Sequence, residues 1–231
     1  MPYFYYDWTM ILVIPGLLLG LYAQFKVKST FARYSRVRTK SGLTAEAAAR
    51  MLLSRGGSTN VTISRVNGSL TDHYDPSSKT LRLSDSVYGS DSVAAVGVAA
   101  HECGHALQEH DGYGLLKLRT ALVPVVNIGS NLSWPLFLVG LIFSWEPLLY
   151  AGIALFALAV LFALITLPVE FNASKRALAA LETNGYLQPG EEMRGAKKVL
   201  SAAAMTYVAS AFMAIMQLLR LLAIAGSRRD D

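Results

Sequence analysis

Four stretches of the chain are apolar and nearly free of charge, and polar blocks alternate with them: residues 9–25, 121–145, 148–167 and 201–225. Each approaches the roughly 20 residues that a helix needs to cross the hydrocarbon core. Residues 1–8 are rich in Tyr and Trp, as suits a membrane–water interface. The stretch that follows lacks the basic start and small-residue cleavage site of a secretory signal, so it reads as a retained anchor. Pro15 and Gly16 are tolerable inside it. Asn127, Ser130, Asn131, Ser133 and Pro135 make the first half of the second stretch unusually polar, which fits packing against other helices. Ser144-Trp145-Glu146-Pro147 leaves room only for a turn before the third stretch, and Arg220 near the end of the fourth can snorkel.

The polar blocks carry their own signals. Lys26, Lys28, Arg33, Arg36, Arg38 and Lys40 follow the first stretch with no acid among them, and Arg194, Lys197 and Lys198 precede the fourth. By the positive-inside rule both blocks face the cytoplasm, and the first run can touch anionic lipid headgroups. Arg228 and Arg229 fall on the other side, mildly against the rule. Thr44 is placed to cap a helix that stops at Gly56-Gly57. Residues 60–66 alternate as a strand does, and Asn67-Gly68 signals a tight turn. Residues 69–73 and 80–83 read as further strands, with Asp75-Pro76-Ser77-Ser78 between them. The expectation is a small antiparallel sheet with residues 80–84 at its edge.

The fold class expected is therefore a mainly α membrane protein, about four transmembrane helices with a small cytoplasmic α+β domain. The expected segments are an anchor (1–25), a basic linker with a small sheet and a further helix (26–120), a transmembrane hairpin (121–168), a second cytoplasmic segment (169–200) and a last transmembrane helix (201–231). Composition agrees: 53% of the residues are hydrophobic and 16% charged, with mean hydropathy +0.37. The net charge of +5 is explained by topology, and no motif with interleaved aromatics supports nucleic-acid binding. The single Cys103 excludes an intramolecular disulfide framework and fits a reducing compartment.

Chemistry concentrates in Val96–Leu107, which reads as one helix containing His101-Glu102-Cys103-Gly104-His105. Histidines four apart project from one face of a helix and can reach a single metal ion. Glu102 stands beside the first, where its carboxylate can relay a proton of water at the metal's open position. Cys103 points away from that face and reads as a small packed residue. A zinc site of this kind needs a third ligand, and Glu170, at the end of the third apolar stretch, is the acid best placed. The alternative for Glu170 is an interfacial carboxylate paired with Lys175 or Arg176, while Glu182, Glu191 and Glu192 look solvated among turn residues. His73, in Asp72-His73-Tyr74-Asp75-Pro76, is either a catalytic residue orienting substrate or a hydrogen-bonder of its turn. His73, Tyr74, Arg82 and Tyr207 are the candidates for stabilising an oxyanion.

These residues carry a resemblance. His101-Glu102-Cys103-Gly104-His105 followed by Glu170-Phe171-Asn172-Ala173-Ser174 is similar to the HtpX-type membrane gluzincins, in which the glutamate of E-x-x-A-D completes the zinc site. With residues 71–76, 81–84, 98–106 and 167–174 taken together, the chain more closely resembles the YugP-type neutral zinc metallopeptidases of bacterial membranes. The resemblance implies a multi-pass plasma-membrane peptidase whose small cytoplasmic α+β domain is a zincin-like catalytic domain, holding Zn2+ on His101, His105 and Glu170, with Glu102 as base. It implies protein or peptide substrates, unfolded membrane proteins among them. Ser174 stands where the broader group has an aspartate that orients a ligand histidine, so a neutral partner, or Asn172, would take that task. The competing class is a membrane scaffold with a structural or vestigial zinc. A metal transporter is disfavoured because none of the ligands lies at mid-bilayer.

Overall fold

The computed structural model describes residues 8–227, so most of the N-terminal aromatic cluster and the Arg228, Arg229, Asp230 and Asp231 charges lie outside the described residues. Six helices and three strands follow in order: α1 (Met10–Tyr34), α2 (Ala45–Arg55), β1 (Thr62–Val66), β2 (His73–Asp75), β3 (Thr80–Ser84), α3 (Val93–His110), α4 (Gly114–Ile142), α5 (Glu146–Thr183) and α6 (Glu191–Ser227). Helices α1, α4, α5 and α6 are long and apolar enough to cross a membrane. The chain is thus a mainly α membrane protein with a small α+β part.

Two compact units emerge. Among the described residues, the apolar one comprises residues 8–23, 118–167 and 206–227. Its helices approach closely where a side chain is missing. A Cβ on Gly140 would lie 2.4 Å from the Leu149 nitrogen, and one on Gly152 2.6 Å from the Phe137 nitrogen. Small residues at such crossings let backbones meet without a hydrophobic driving force between helices. Phe137, Leu149, Ile153, Leu221 and Ala225 fill this unit's interior. Leu18, Leu21, Ile128, Ile142 and Leu161 are exposed, as lipid-facing side chains should be. Arg220 donates through Nε to the Thr9 hydroxyl at 3.2 Å.

The second unit comprises residues 24–117 and 168–205, and Pro168, which has no N–H for the helical ladder, stands at its boundary. The core is built on α3. Ser92 caps that helix, accepting from the Ala95 nitrogen, and Thr44 caps α2 in the same way. Ala94, Ala95, Ala99, Ala100 and Cys103 of α3 are buried against Ala48, Ala49, Leu52 and Leu53 of α2. The Cys103 thiol lies 3.6 Å from the Ala49 carbonyl, and burial pushes its pKa well up, so it stays protonated. It is a packing residue.

The sheet departs from the expectation. Its order is β1-β3-β2, with β1 parallel and β2 antiparallel to β3. Residues 80–84 therefore form the central strand and not an edge, and residues 69–72 are not a strand. Two aspartates on either side of the segment accept backbone N–H groups. Asp72 accepts from the Ser84 nitrogen at 2.7 Å and its hydroxyl at 2.9 Å. Asp85 accepts from the Gly68 nitrogen at 3.1 Å and from Arg65 Nε at 2.6 Å. The segment after β1 is thus held by carboxylates and crosses to the far side of β3 instead of folding back as a hairpin. Burial pushes Asp72 above its usual range, the Ser84 bonds acting in opposition. Glu192 is a second correction. It is 4% exposed, and its two oxygens accept from the Lys40 and Gln188 nitrogens at 2.9 and 2.8 Å. It pins the start of α6 to the loop before α2.

Candidate metal centre

The histidine face of α3 and the first turns of α5 after Pro168 meet in the second unit. They meet closely because Gly104 has no side chain: a Cβ there would sit 2.5 Å from the Ala173 carbonyl oxygen. The approach carries Glu170 to the histidines. Its Oε2 lies 3.2 Å from His101 Nε2 and 3.5 Å from His105 Nε2. The two rings stand edge to face, 4.8 Å between centroids. One ligand atom from each of the three residues lies within 4.8 Å of the others. Tetrahedral zinc, with bonds of about 2.0–2.1 Å, separates its ligand atoms by about 3.3 Å. The donor set and its spacing fit that ion. Arg176 does not pair with Glu170; it donates to Asn172 and Asp111.

The far nitrogens of both rings are also engaged, and one chain of bonds sets a tautomer. Arg176 can only donate, so Asn172 Oδ1, 2.8 Å from its Nε, is an acceptor. Gln108 Nε2 donates to that same oxygen at 2.9 Å and to the Val169 carbonyl at 2.8 Å. Its Oε1 is then the atom that faces His105 Nδ1 at 3.0 Å. His105 Nδ1 must carry a proton, and the lone pair of the neutral ring lies on Nε2, toward Glu170. Ser174 Oγ lies 3.1 Å from His101 Nδ1. The serine thus serves His101 directly, whereas Asn172 acts on His105 through Gln108. Burial opposes charging His105, but its bond to Glu170 and the fields of Glu102 and Glu170 outweigh burial and raise its pKa. A proton and a divalent cation compete for the same Nε2.

Glu102 is 8% exposed, and its Oε2 accepts the Tyr74 N–H of β2 at 3.0 Å. The Tyr74 hydroxyl donates to Glu109, one helical stretch further along α3. Burial and then Glu109 raise the phenol's pKa. Strand β2 is thereby tied to α3 at two points. His73 lies on β2 outside the three-residue cluster. Its Nδ1 is 2.9 Å from the Thr71 carbonyl and its Nε2 3.3 Å from Arg82. Arg82 also donates to Asp75 at 3.1 Å, whose carboxyl is held below the usual range by Ser77, Ser78 and Arg82. His73, Tyr74 and Arg82 each therefore have partners of their own, and Tyr207 belongs to the apolar unit.

Gln108 and Gly104 escape a reading by motif alone. Gln108 follows His101 and His105 at helical spacing on one face, a signal that the sequence does hold. The need for glycine at 104 depends on a partner helix that no local pattern names. Gln108→Leu is expected to weaken zinc binding about 10- to 100-fold, as loss of a partner to a ligand histidine does. Competition with a chromogenic chelator measures it, and unchanged affinity would show that the Gln108 bond does not support the ligand.

Residues 9–226 match the family described as "Putative neutral zinc metallopeptidase". A Bacillus subtilis (strain 168) protein described as "Putative membrane protease YugP" is 47% identical over 222 residues, covering 96% of this chain and 98% of that protein. No solved structure gives a significant match to the chain. The match spans both units and the whole candidate centre, and the chain belongs to the neutral zinc metallopeptidase family.

Proposed function

We propose that the protein is a zinc-dependent membrane endopeptidase, with His101, His105 and Glu170 as ligands and Glu102 as general base. The observation that carries this reading is the convergence of both Nε2 atoms on Glu170 Oε2, with the Glu102 carboxylate fixed on the adjacent turn by Tyr74. When bound, zinc acidifies a coordinated water and polarises the scissile carbonyl. The chain's own part is positional and protonic. Gln108 and Ser174 hold the two rings so that Nε2 of each faces inward. Glu102 removes a proton from the attacking water and delivers it to the leaving amine nitrogen. The bond from Tyr74 N–H leaves that carboxylate in one place throughout, which spares reorganisation.

Strand β2 is an outer strand of the sheet, and its Tyr74 N–H already reaches the catalytic carboxylate. An extended peptide laid along β2 would run past the centre, the way many peptidases take substrate. Unfolded membrane proteins and membrane-proximal tails are the substrate class proposed, on the cytoplasmic side by the distribution of basic residues. Zinc content tests the ligand set. Wild type is expected to retain one zinc per chain, and Glu170→Ala to lose it together with cleavage of unfolded casein. Full stoichiometry in that variant would move the third ligand elsewhere.

A further inference from the structure

Away from the metal centre, the second unit contains a cavity of about 560 Å³ between the end of α1 and the start of α6. Five cations line it: Lys26 and Arg33 from α1, and Arg194, Lys197 and Lys198 from α6. Lys26 and Arg33 are seven residues apart, as are Arg194 and Ser201, so each helix contributes one face. No carboxylate is among the lining residues. The floor is different in kind. Ala202 and Met205 continue the α6 face toward its apolar stretch, and the Tyr34 ring closes the α1 side. Lys26 directly follows the apolar run of α1, and Lys198 lies at the start of that of α6. The cavity thus has a cationic mouth where the two helices change from apolar to polar.

Five like charges gathered around one cavity give it a positive potential that attracts an anion. A free phosphate would satisfy the charges but not the apolar floor. A molecule with a phosphate at one end and an acyl chain at the other satisfies both. We infer that the cavity binds one anionic phospholipid, its phosphate among the five cations and the upper part of an acyl chain over Ala202 and Met205. Basic pockets between membrane helices recognise such headgroups in general. The site is independent of the metal centre, and its occupancy is read without a peptidase assay.

The test uses the full chain, zinc-loaded, in dodecyl maltoside. Dioctanoyl-phosphatidylglycerol, dioctanoyl-phosphatidylcholine and glycerol 3-phosphate are titrated in turn, with retained ligand counted by native mass spectrometry. Phosphatidylglycerol is expected to saturate at one per chain and to bind at least tenfold tighter than either other probe. Arg194→Gln/Lys197→Gln/Lys198→Gln removes three of the five charges. Each cation near an anionic headgroup contributes roughly fivefold in affinity, so a loss of at least about tenfold is expected after screening. Lys28→Gln/Arg36→Gln/Lys40→Gln removes as many charges outside the cavity and is expected to change binding by less than about twofold. Met205→Trp keeps every cation and fills the floor, and it too is expected to weaken the lipid about tenfold. Equal loss in both triple variants, or unchanged binding in Met205→Trp, would reduce the site to diffuse surface charge and overturn the inference. Equal binding of glycerol 3-phosphate would make it a free-anion site and overturn the lipid assignment.

Discussion

Glu102→Gln is expected to lower kcat/KM for an unfolded protein substrate at least about a thousandfold while zinc content stays at the wild-type level. General-base catalysis contributes about 10²- to 10⁴-fold, and a thousandfold loss corresponds to about 4 kcal/mol of transition-state stabilisation. The substitution isolates this effect because it preserves the residue's other task. The glutamine carbonyl can still accept the Tyr74 N–H that Glu102 accepts at 3.0 Å, so β2 stays tied to α3. What is lost is an oxygen able to take a proton. Glu102→Ala would lose the tether as well and confound the two roles. Cleavage of fluorescein-labelled casein, with metal analysis of the same sample, makes the measurement. Hydrolysis at the wild-type rate by zinc-replete Glu102→Gln would remove Glu102 from the chemistry and assign the base to another group.

The parts of this molecule that were legible in its sequence are those set by short-range physics. Apolar runs of bilayer length announce the four long helices. Thr44 announces the start of α2, because a side-chain oxygen must satisfy the first free N–H groups. Histidines four apart announce a shared face. The sheet departs from its local signals for the opposite reason. Asn67-Gly68 is a good hairpin signal, but Asp72 accepts from the Ser84 nitrogen and Asp85 from the Gly68 nitrogen, which ties the segment after β1 to the end of β3. That tie depends on partners lying beyond the turn in the chain. Glu192 likewise looks like a loop acid until the Lys40 and Gln188 nitrogens are found around it. The centre itself divides in the same way. The motif identifies two donors and a base, while the network behind His105, running through Gln108, Asn172 and Arg176 to Asp111, exists only once α3 and α5 are side by side.

That close approach makes Gly104→Ala the second large effect. An alanine in the interior of a helix ordinarily stabilises it by about 1 kcal/mol relative to glycine. At 104 the new methyl carbon would lie 2.5 Å from the Ala173 carbonyl oxygen and 3.1 Å from its carbon. Those are backbone atoms of another helix and cannot rotate aside. Overpacking of this kind costs about 1–3 kcal/mol, so the net effect is expected to be a loss of up to about 2 kcal/mol and a lower Tm. The larger consequence falls on the centre. Glu170 precedes Ala173 by one turn of α5, so separating the helices withdraws Oε2 from both Nε2 atoms. A displacement of about 1 Å in a catalytic group costs about a hundredfold in rate, and zinc affinity is expected to fall with it. Gly97→Ala is the matched comparison, since its Cβ would meet Ala196 at an ordinary 3.5 Å. That variant is expected to keep its zinc and to match or exceed wild-type stability. Thermal unfolding and zinc content of the pair decide the matter. Full zinc and an unchanged Tm in Gly104→Ala would mean that contact between α3 and α5 at this point does not set the ligand spacing.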